Sequence, residues 1–422
     1  MTRTFLIALV VCLIAIPLAA QDLAPTRFFI ERIEIREADR VSPEVVVAES
    51  RLSAGEEYSE ADLRDASARL SRLPFLLSAE FSLEKGSERG RHVLVITINE
   101  TKNFFYALDL RPIIKRDENV RADYSDRIGV ADNVATVGMR WFMGRRGALH
   151  MALLTTDYDN NFARDYIAFA IGYTQYDLLD TRAFATLNLK HVVTSANSTL
   201  SPQLVVGIPV SANQTVTLDI DEVRFGEDVR QLFEVTFDEN RSQRVASLTW
   251  SYNTTNRPFL PTRGTLLSVQ PRVSWSDAAT YTFIVTPDPN GGSPVFETRP
   301  DTLHSEAREV VLKAARYVEL SERTSVSAGV ETSLVQYTLE SDVDGVQRDR
   351  AARAAVTAGY SYSLWDANRA KNGDSRIELN ARVGSRSVAD FYPVNADQRQ
   401  FSASWVRRSA WGTLRFGVGF AW

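Results

Sequence analysis

Cysteine is almost absent from this chain, because Cys12 is the only one among 422 residues. It lies inside an apolar run at the N-terminus, so a mature chain that lost this run would contain no cysteine. Disulfides, thiolate metal sites and cysteine nucleophiles are then excluded. An exported protein without disulfides suits a bacterial envelope. The net charge of −5 argues against a nucleic-acid partner.

Long apolar runs are also scarce. No segment beyond the N-terminus approaches the ~18 consecutive apolar residues of a membrane-spanning helix. At the N-terminus itself, Arg3 precedes an apolar run from Phe5 to Leu18, and Ala19-Ala20-Gln21 follows. A basic start, an apolar core and small residues predict a signal peptide over residues 1–20, cleaved after Ala20. The alternative is a membrane anchor, for which the run falls short of ~20 residues.

Histidine is the third scarce residue, and it limits enzymatic readings. The four histidines are His92, His150, His191 and His304. None lies in a Gly-x-Ser-x-Gly context, and none is paired at metal-ligand spacing. Five charged residues of the C-terminal part could form a charge network, which we expect to stabilise the fold and not to perform catalysis. They are Glu309, Lys313, Glu331, Glu378 and Arg382. We therefore expect no enzyme, no catalytic residue, no cofactor and no metal.

Residues 27–102 mix strand and helix patterns. Ser42-Pro43-Glu44 predicts a helix start, with serine as the cap and proline in the first helical position. Ser59 and Asp62 resemble a capping box that opens a second helix. Gly55 and Tyr58 fall in the connection between the two helices. The predicted order is strand, helix, helix, strand, strand, which is a small α+β domain.

From residue 103 the helical pattern disappears and apolar residues alternate with polar or small ones. The clearest case is the last strand, in which Leu414, Phe416, Val418, Phe420 and Trp422 occupy every second position. This spacing places them on one face. A soluble sandwich would bury that face, whereas a membrane barrel turns it to lipid. The signal peptide and the aromatic terminus favour the barrel, because only a closed barrel satisfies every strand's backbone in lipid.

The length of residues 103–422 predicts the number of strands. A spanning strand needs ~9–11 residues, so residues 103–422 predict a transmembrane antiparallel β-barrel of about 16 strands, with 14 possible. Asp277–His304, which is rich in proline and glycine, is predicted to be a long outer loop. Candidate strand starts lie near Phe104, Val134, Ala148, Tyr166, Ala183, Leu200, Thr215, Leu232, Val245, Thr265, Ala307, Ser325, Ala354, Ser375, Gln400 and Gly412.

Two segments carry a resemblance to a known family. The order of elements in residues 27–102, with Ile33-Glu34-Ile35, Gly55 and the helical run Leu63, Ala66, Leu70 and Leu73, resembles a POTRA domain; a generic ferredoxin-like domain is the alternative. In the barrel, a turn with Arg257, Pro261, Thr262, Arg263 and Gly264 resembles the strand-turn-strand signature of the bacterial surface antigen family, which includes BamA and TamA. An ordinary hairpin turn is the alternative there.

The resemblance implies a POTRA-like periplasmic domain at 27–102 and an outer-membrane barrel at 103–422. Its partners would be outer-membrane lipid and either client polypeptides or a periplasmic partner protein, bound through the POTRA-like domain. The first strand, Phe104 to Ile113, would pair with the last, Gly412 to Trp422, across a weak seam that lets client strands insert or pass. The family's Arg-Gly-aromatic tripeptide is missing between Val335 and Arg353. A pore, anchor or scaffold that has lost export activity is therefore the second reading.

Overall fold

The fold is taken from a computed structural model. It describes residues 26–71, 73–111, 113–115, 128–129, 133–143, 146–157, 166–194, 198–211, 213–225, 228–232, 235–239, 241–257, 260–286, 295–342, 345–365, 373–388 and 398–421. The predicted signal peptide and Trp422 lie outside these residues. No helix in the described part of the chain is long and apolar enough to cross a membrane.

The N-terminal part is a small α+β unit, as predicted. Its elements are β1 (Arg27–Arg36), α1 (Pro43–Ser50), β2 (Glu56–Ser59), α2 (Glu60–Leu70), β3 (Leu76–Lys85) and β4 (Arg91–Glu100). The sheet order is β2-β1-β4-β3, with β1 and β4 parallel. The prediction had placed Tyr58 in a connection, whereas residues 56–59 pair with the start of β1. A four-residue strand is too short to show a period of two in the sequence.

Local sequence explains both helices. Ser42 is the N-cap of α1, and Pro43 occupies the first turn, where its missing N–H costs nothing. The Ser59 hydroxyl accepts from the Asp62 N–H while the Asp62 carboxylate accepts from the Ser59 N–H, which is a complete capping box for α2. The helices cover one sheet face with fully buried side chains, which include Ile30, Val45, Leu70, Leu94 and Ile96.

The remaining strands form a closed barrel and one small hairpin. The first set is β5 (Phe104–Leu110), β6 (Ile113–Lys115), β7 (Ile128–Gly129), β8 (Asn133–Met143), β9 (Gly147–Asp157), β10 (Tyr166–Leu178), β11 (Ala183–Thr194), β12 (Ser198–Ser211) and β13 (Gln214–Phe225). The hairpin is β14 (Asp228–Leu232) with β15 (Val235–Glu239). The second set is β16 (Arg241–Asn253), β17 (Gly264–Thr286), β18 (Val295–Ser321), β19 (Thr324–Ser341), β20 (Gly345–Ser363), β21 (Asp374–Val388), β22 (Gln398–Ser409) and β23 (Gly412–Ala421).

The barrel has fifteen strands. Pieces β5 and β6 both pair with β23 and form one strand, and β7 continues into β8 in the same way. The prediction of a mainly β barrel is confirmed. The observed number of strands is one fewer than the predicted sixteen, and one candidate strand accounts for the difference. The candidate near Leu232 belongs to the separate β14–β15 hairpin, which alternates like a spanning strand but does not join the barrel ladder.

An odd strand number changes how the barrel closes. Neighbouring barrel strands are antiparallel everywhere except at β23, which pairs in parallel with β5 and β6. The first and last strands therefore start at the same end of the barrel. In a barrel with sixteen strands, the expected antiparallel arrangement would also have held at this junction.

The two barrel faces differ in chemistry as the alternation predicted. Side chains turned outward are exposed and apolar, as Leu187, Leu204, Leu248, Leu312 and Phe416 illustrate. Many side chains turned inward are polar and bond to one another across strands. One such ladder runs His150–Asn188–Gln203–Asp219 from β9 to β13, with distances of 3.0 Å at each step. The apolar residues are thus not buried between two sheets, and the interior is hydrophilic.

The predicted outer loop Asp277–His304 is mostly wrong. Residues 264–286 of β17 pair in continuous register with residues 295–317 of β18, so both flanks of the predicted loop are strands. Only residues 287–294, where the prolines and glycines concentrate, interrupt the ribbon, and they lie outside the described residues. The prolines and glycines of this segment therefore did not predict how far the flanking strands extend.

The core of the N-terminal unit gives a stability test. Leu70 is fully buried at the end of α2, and we expect Leu70→Ala to destabilise this unit by about 2–5 kcal/mol, through lost burial and the cavity left behind. Hydrogen exchange of β1 and β4 amides measures the loss. Arg64→Ala on the exposed face of the same helix is the control and should change protection little. Equal protection in the two variants would contradict the packing described here.

Candidate functional site at the seam and mouth of the barrel

The junction between the first and last strands is short, with eight register pairs among the described residues, as many as the first strand makes with its other neighbour. Five residues of β23, Gly412 to Phe416, pair with Tyr106 to Leu110. Three more, Gly419 to Ala421, pair with β6, and the ladder is interrupted between the two runs. The other neighbour of β23 is β22, which pairs with it over ten consecutive positions. Fewer pairs, and parallel ones, make this seam the weakest junction of β23.

Close approach at the start of the seam depends on Gly412. Its φ is +143°, and a Cβ at this position would collide with the backbone of Tyr106. The Tyr106 N–H donates to the Trp411 carbonyl at 2.9 Å, so the two backbones are bonded there. Strand glycines pack poorly, but at Gly412 the missing side chain permits the close contact between the two strands.

Ion pairs cross the seam on the luminal side. Arg415 of β23 lies 3.7 Å from Asp109 of β5 and 3.3 Å from Glu378 of β21. Arg111 pairs with the same Asp109 at 2.6 Å. Residues of the first and last strands are thus joined by charge as well as by backbone hydrogen bonds.

The luminal charges predicted from sequence form separate groups. Glu331 lies 3.1 Å from Lys313 and 3.7 Å from Arg382. Glu309 instead pairs with Arg272 at 2.5 Å, and Glu378 pairs with Arg415 at the seam. Cross-strand pairs of this kind stabilise adjacent strands.

The family-like turn lies between β16 and β17, and its described residues are 254–257 and 260–263. Gly264 has the positive φ that the sequence predicted, at +110°. Asn256 organises the turn, because its side-chain oxygen accepts from the N–H of Thr262 at 3.1 Å and of Arg263 at 3.3 Å. Its amide also donates to the Thr262 hydroxyl at 2.8 Å. Sequence reasoning missed Asn256, although asparagine's tendency to bond nearby backbone was a usable signal.

This turn is anchored to the start of β21. Arg257 donates to Asp374 at 3.0 Å, and Arg376 donates both to Asp374 at 2.6 Å and to the Leu260 carbonyl at 2.9 Å. Arg376 is only 2% exposed. Pro261 is partly buried beside this cluster, and Arg263 is exposed. Asp374 and Arg376 were also missed, because 117 residues separate Arg257 from its partner.

The N-terminal unit closes part of the barrel mouth on this same side. Phe75 packs edge-on against Phe142 and Tyr176, with ring centroids 4.6 and 5.4 Å away. These two rings point into the lumen, so the apolar core of the N-terminal unit continues into the barrel. Further polar contacts surround the aromatic one: Arg140 to the Pro74 carbonyl (2.6 Å), Asn213 to Asp65 (2.9 Å), Arg408 to the Leu76 carbonyl (3.2 Å) and the Lys102 N–H to the Ala410 carbonyl (2.7 Å).

Two cavities lie around the anchored turn. A cavity of about 760 Å³ separates α2 and β3 from the turn, with Leu63, Phe81, Arg257, Arg263 and Arg408 among its lining residues. A second, of about 440 Å³, lies on the luminal side of the same turn and is lined mainly by polar strand residues. The turn therefore separates a groove at the mouth from space inside the barrel.

Histidine chemistry offers one pair. His304 Nδ1 lies 2.7 Å from Asp277, and both side chains are more than half exposed. A triad would need a serine hydroxyl on the other ring nitrogen, and the hydrogen bonds described for His304 include none. Within the described residues there is also no group of three or more histidine, cysteine, aspartate or glutamate side chains that could hold a metal ion.

Comparisons with known proteins add context for the fold. No protein-family model and no curated protein matches the sequence. Among solved structures, BamA from Haemophilus ducreyi lacking POTRA domains 1–3 aligns over 94% of this chain and 85% of its own, at 11% identity and a TM-score of 0.40. CdiB from Acinetobacter baumannii aligns over 94% and 74%, at 8% identity and a TM-score of 0.41.

A third alignment, with OmpT of Vibrio cholerae in its trimer form, covers 76% of this chain and 98% of that one, at 12% identity and a TM-score of 0.33. All three scores lie below 0.5. The fold described above therefore rests on this chain's own strand pairing and not on these likenesses.

The buried arginine gives a prediction. We expect Arg376→Met to destabilise the folded barrel by about 3–5 kcal/mol, because Asp374 would keep a buried charge with one partner fewer and the Leu260 carbonyl would lose its donor. The shift between folded and unfolded bands in unboiled electrophoresis, followed against urea, measures this. Arg263→Met in the exposed part of the turn is the matched control. If both variants unfold at the same urea concentration, the contacts of Arg376 do not stabilise the barrel.

Proposed function

We propose that this chain is an outer-membrane barrel of the BamA/TamA-like assembly or translocation type. In this proposal, the N-terminal unit is a single POTRA-like domain in the periplasm. It receives client polypeptides, and the barrel helps to insert or export them. The observation that carries the proposal is a closed barrel with a short seam between its first and last strands and a small α+β unit docked at the mouth where both strands begin.

The outward apolar face supports the membrane location. Exposed leucine, isoleucine, valine and phenylalanine side chains surround the barrel, and the polar ladders lie inside. Water would make such a surface an aggregation hazard, while lipid is its natural solvent. Closure satisfies the backbone groups that lipid cannot.

The connections between strands support the proposed orientation. Two-residue turns at 322–323 and 410–411 lie at the end of the barrel that bears the N-terminal unit. Barrels of the outer membrane have their short turns on the periplasmic side. This supports a periplasmic N-terminal unit.

Client reception is proposed at the edge of the N-terminal sheet. Strand β3 pairs only with β4 and therefore has one unpaired edge. An extended peptide can add to such an edge through main-chain hydrogen bonds. The cavity of about 760 Å³ lies along this strand and α2, which leaves room for side chains of an added segment. A periplasmic partner protein could use the same edge. We propose no enzymatic activity, cofactor or nucleic-acid partner.

The second candidate is a non-catalytic pore, anchor or scaffold that has lost export activity. It is favoured by the segment between Val335 and Arg353, where the family's inward-folding loop would be expected. Residues up to Ser341 and from Gly345 belong to a regular hairpin, with in-register pairing from Val335↔Ala351 to Ser341↔Gly345. The described residues thus provide no inward-folding loop at this position.

The membrane location can be tested with two neighbouring residues of β12. Leu204 faces outward and is 40% exposed, while Val205 faces the lumen and is paired with Asp219. We expect Leu204→Lys to cost about 2–4 kcal/mol at the bilayer midplane. Val205→Lys should cost little, because its charge lies in a hydrated interior opposite a carboxylate. Folding yield into lipid vesicles is the measurement, and equal yields would exclude lipid contact at Leu204.

Activity at the seam can be tested by locking it. Ala107 and Thr413 are register partners across the seam. In a deletion strain, the oxidised Ala107→Cys/Thr413→Cys variant should fail to restore the outer-membrane protein inventory, and reduction should restore it. The control pair is Ser325→Cys/Ser361→Cys, whose hydroxyls lie 2.7 Å apart on the adjacent strands β19 and β20, which do not pair across the seam.

The outcomes separate the two candidates. Loss of specific outer-membrane proteins on deletion supports assembly or export, and full activity of the locked seam rules out its opening. A deletion that reduces only small-solute permeability supports the pore.

A further inference from the structure

The outward face of β18, β19 and β20 changes from apolar to charged toward the end of the barrel opposite the N-terminal unit. Val310, Leu334 and Ala352 are register partners on these three strands, and Val310 and Leu334 are exposed. Register partners share a face of the sheet, so the three side chains lie together on the outward side. They form the last row of three apolar residues in this direction.

The next two rows carry three arginines on the same face. The first row is Arg308, Gln336 and Arg350, and the second is Glu306, Thr338 and Arg348. Residues two positions apart along a strand point to the same side, so both rows continue the outward face. All three arginine side chains are exposed there.

Acidic neighbours neutralise only one of these arginines. Arg308 lies 2.5 Å from Glu306. Within the part of the chain that the structure describes, no side-chain hydrogen bond or ion pair involves the guanidinium of Arg348 or Arg350. Glu340 also faces outward, but it lies one row farther from the apolar residues. Two guanidinium groups are therefore available to a ligand.

Trp275 indicates the level of these rows in a membrane. It is the register partner of Glu306 and is 44% exposed on the outward face. Aromatic side chains form girdles at the two interfaces of membrane barrels. Arginine is costly inside hydrocarbon, whereas at an interface its long side chain reaches the polar headgroups. The three arginines thus lie beside the aromatic girdle, at the depth where lipid phosphates occur.

We propose that Arg308, Gln336, Arg348 and Arg350 bind the phosphate groups of an anionic lipid in the outer leaflet of the outer membrane. The proposal rests on the membrane location and orientation proposed above, which place this end of the barrel on the extracellular side. Guanidinium groups bind phosphate oxygens through paired N–H donors. The apolar row directly below the arginines provides a surface for the acyl chains of the same lipid. A free phosphate ion would gain nothing from that row.

Native mass spectrometry of the full chain in a zwitterionic detergent tests the site. The probe is lipid A, a glycolipid with two phosphate groups, and phosphatidylcholine is the lipid without net charge. The native chain should bind lipid A more tightly than phosphatidylcholine. Arg348→Gln/Arg350→Gln should lower the affinity for lipid A by roughly 10- to 30-fold, because it removes two cations from the lipid surface. Binding of phosphatidylcholine should not change.

The matched control is Arg353→Gln on the same strand. Arg353 pairs with Ser333 and lies on the luminal face, since its position alternates with those of Arg350 and Ala352. Its replacement should leave the affinity for lipid A unchanged. Unboiled electrophoresis shows whether each variant is a folded barrel before its lipid binding is compared.

Three results would overturn the site. They are equal affinities for lipid A in the native chain and the double variant, a comparable loss in Arg353→Gln, and displacement of lipid A by an equal concentration of inorganic phosphate. The last result would identify a free anion as the occupant. Failure of the membrane location itself would appear separately, in the vesicle folding of Leu204→Lys.

Discussion

Closure of the strand ladder is the constraint on which the rest of this structure depends. A strand in lipid has no water to satisfy its backbone, so the last strand must bond to the first. With fifteen strands, β5 and β23 both start at the mouth that bears the N-terminal unit, and their pairing can only be parallel. The short, interrupted register of this junction and the close approach at Gly412 are consequences of that closure. The luminal pair Arg415–Asp109 adds a charge contact across this short junction.

The N-terminal unit and the seam are physically joined. Strand β4 ends at Glu100 and β5 begins at Phe104, so only three residues connect them. Within this link, the Lys102 N–H donates to the Ala410 carbonyl in the turn that starts β23, and the Asn103 carbonyl accepts from the Arg140 N–H. A rotation of the unit would therefore load the first residues of the seam directly. The contacts around Phe75, which lies beside this link, and around Arg146 resist such a rotation.

Sequence periodicity predicted strands better than it predicted their partners. Alternation located fifteen barrel strands, and the one surplus candidate near Leu232 has the same local pattern but pairs with β15 alone. A period of two records which residues share a face, not which strand lies beside them. The flanks of Asp277–His304 were predicted to be loop although they are strands. A two-stranded ribbon that extends past the barrel rim needs no clear apolar face, so its sequence does not show the alternation of a spanning strand. The parallel pairing at the seam could not be predicted either. An error of one in the strand count changes the expected pairing of the first and last strands from parallel to antiparallel.

In the candidate site too, local features were predicted from the sequence and distant partners were not. Gly264 was predicted from local backbone requirements, and its positive φ agrees. Ser59 and Asp62 formed the expected capping box, because both partners lie within one turn of chain. Asp374 and Arg376, which anchor the family-like turn, are distant in sequence and have no local pattern that distinguishes them from solvated charges. Local chemistry is readable from a single sequence, whereas a partner more than a hundred residues away becomes visible only when the barrel closes.

The seam and the docking interface are held by different forces. The seam is held by backbone hydrogen bonds and one luminal charge group. The docking interface combines the Phe75 aromatic contact and the Arg146 ion pairs. Because the three-residue link joins these two regions, loss of the interface contacts would remove a restraint on the unit and leave the pairing of β5 with β23 intact.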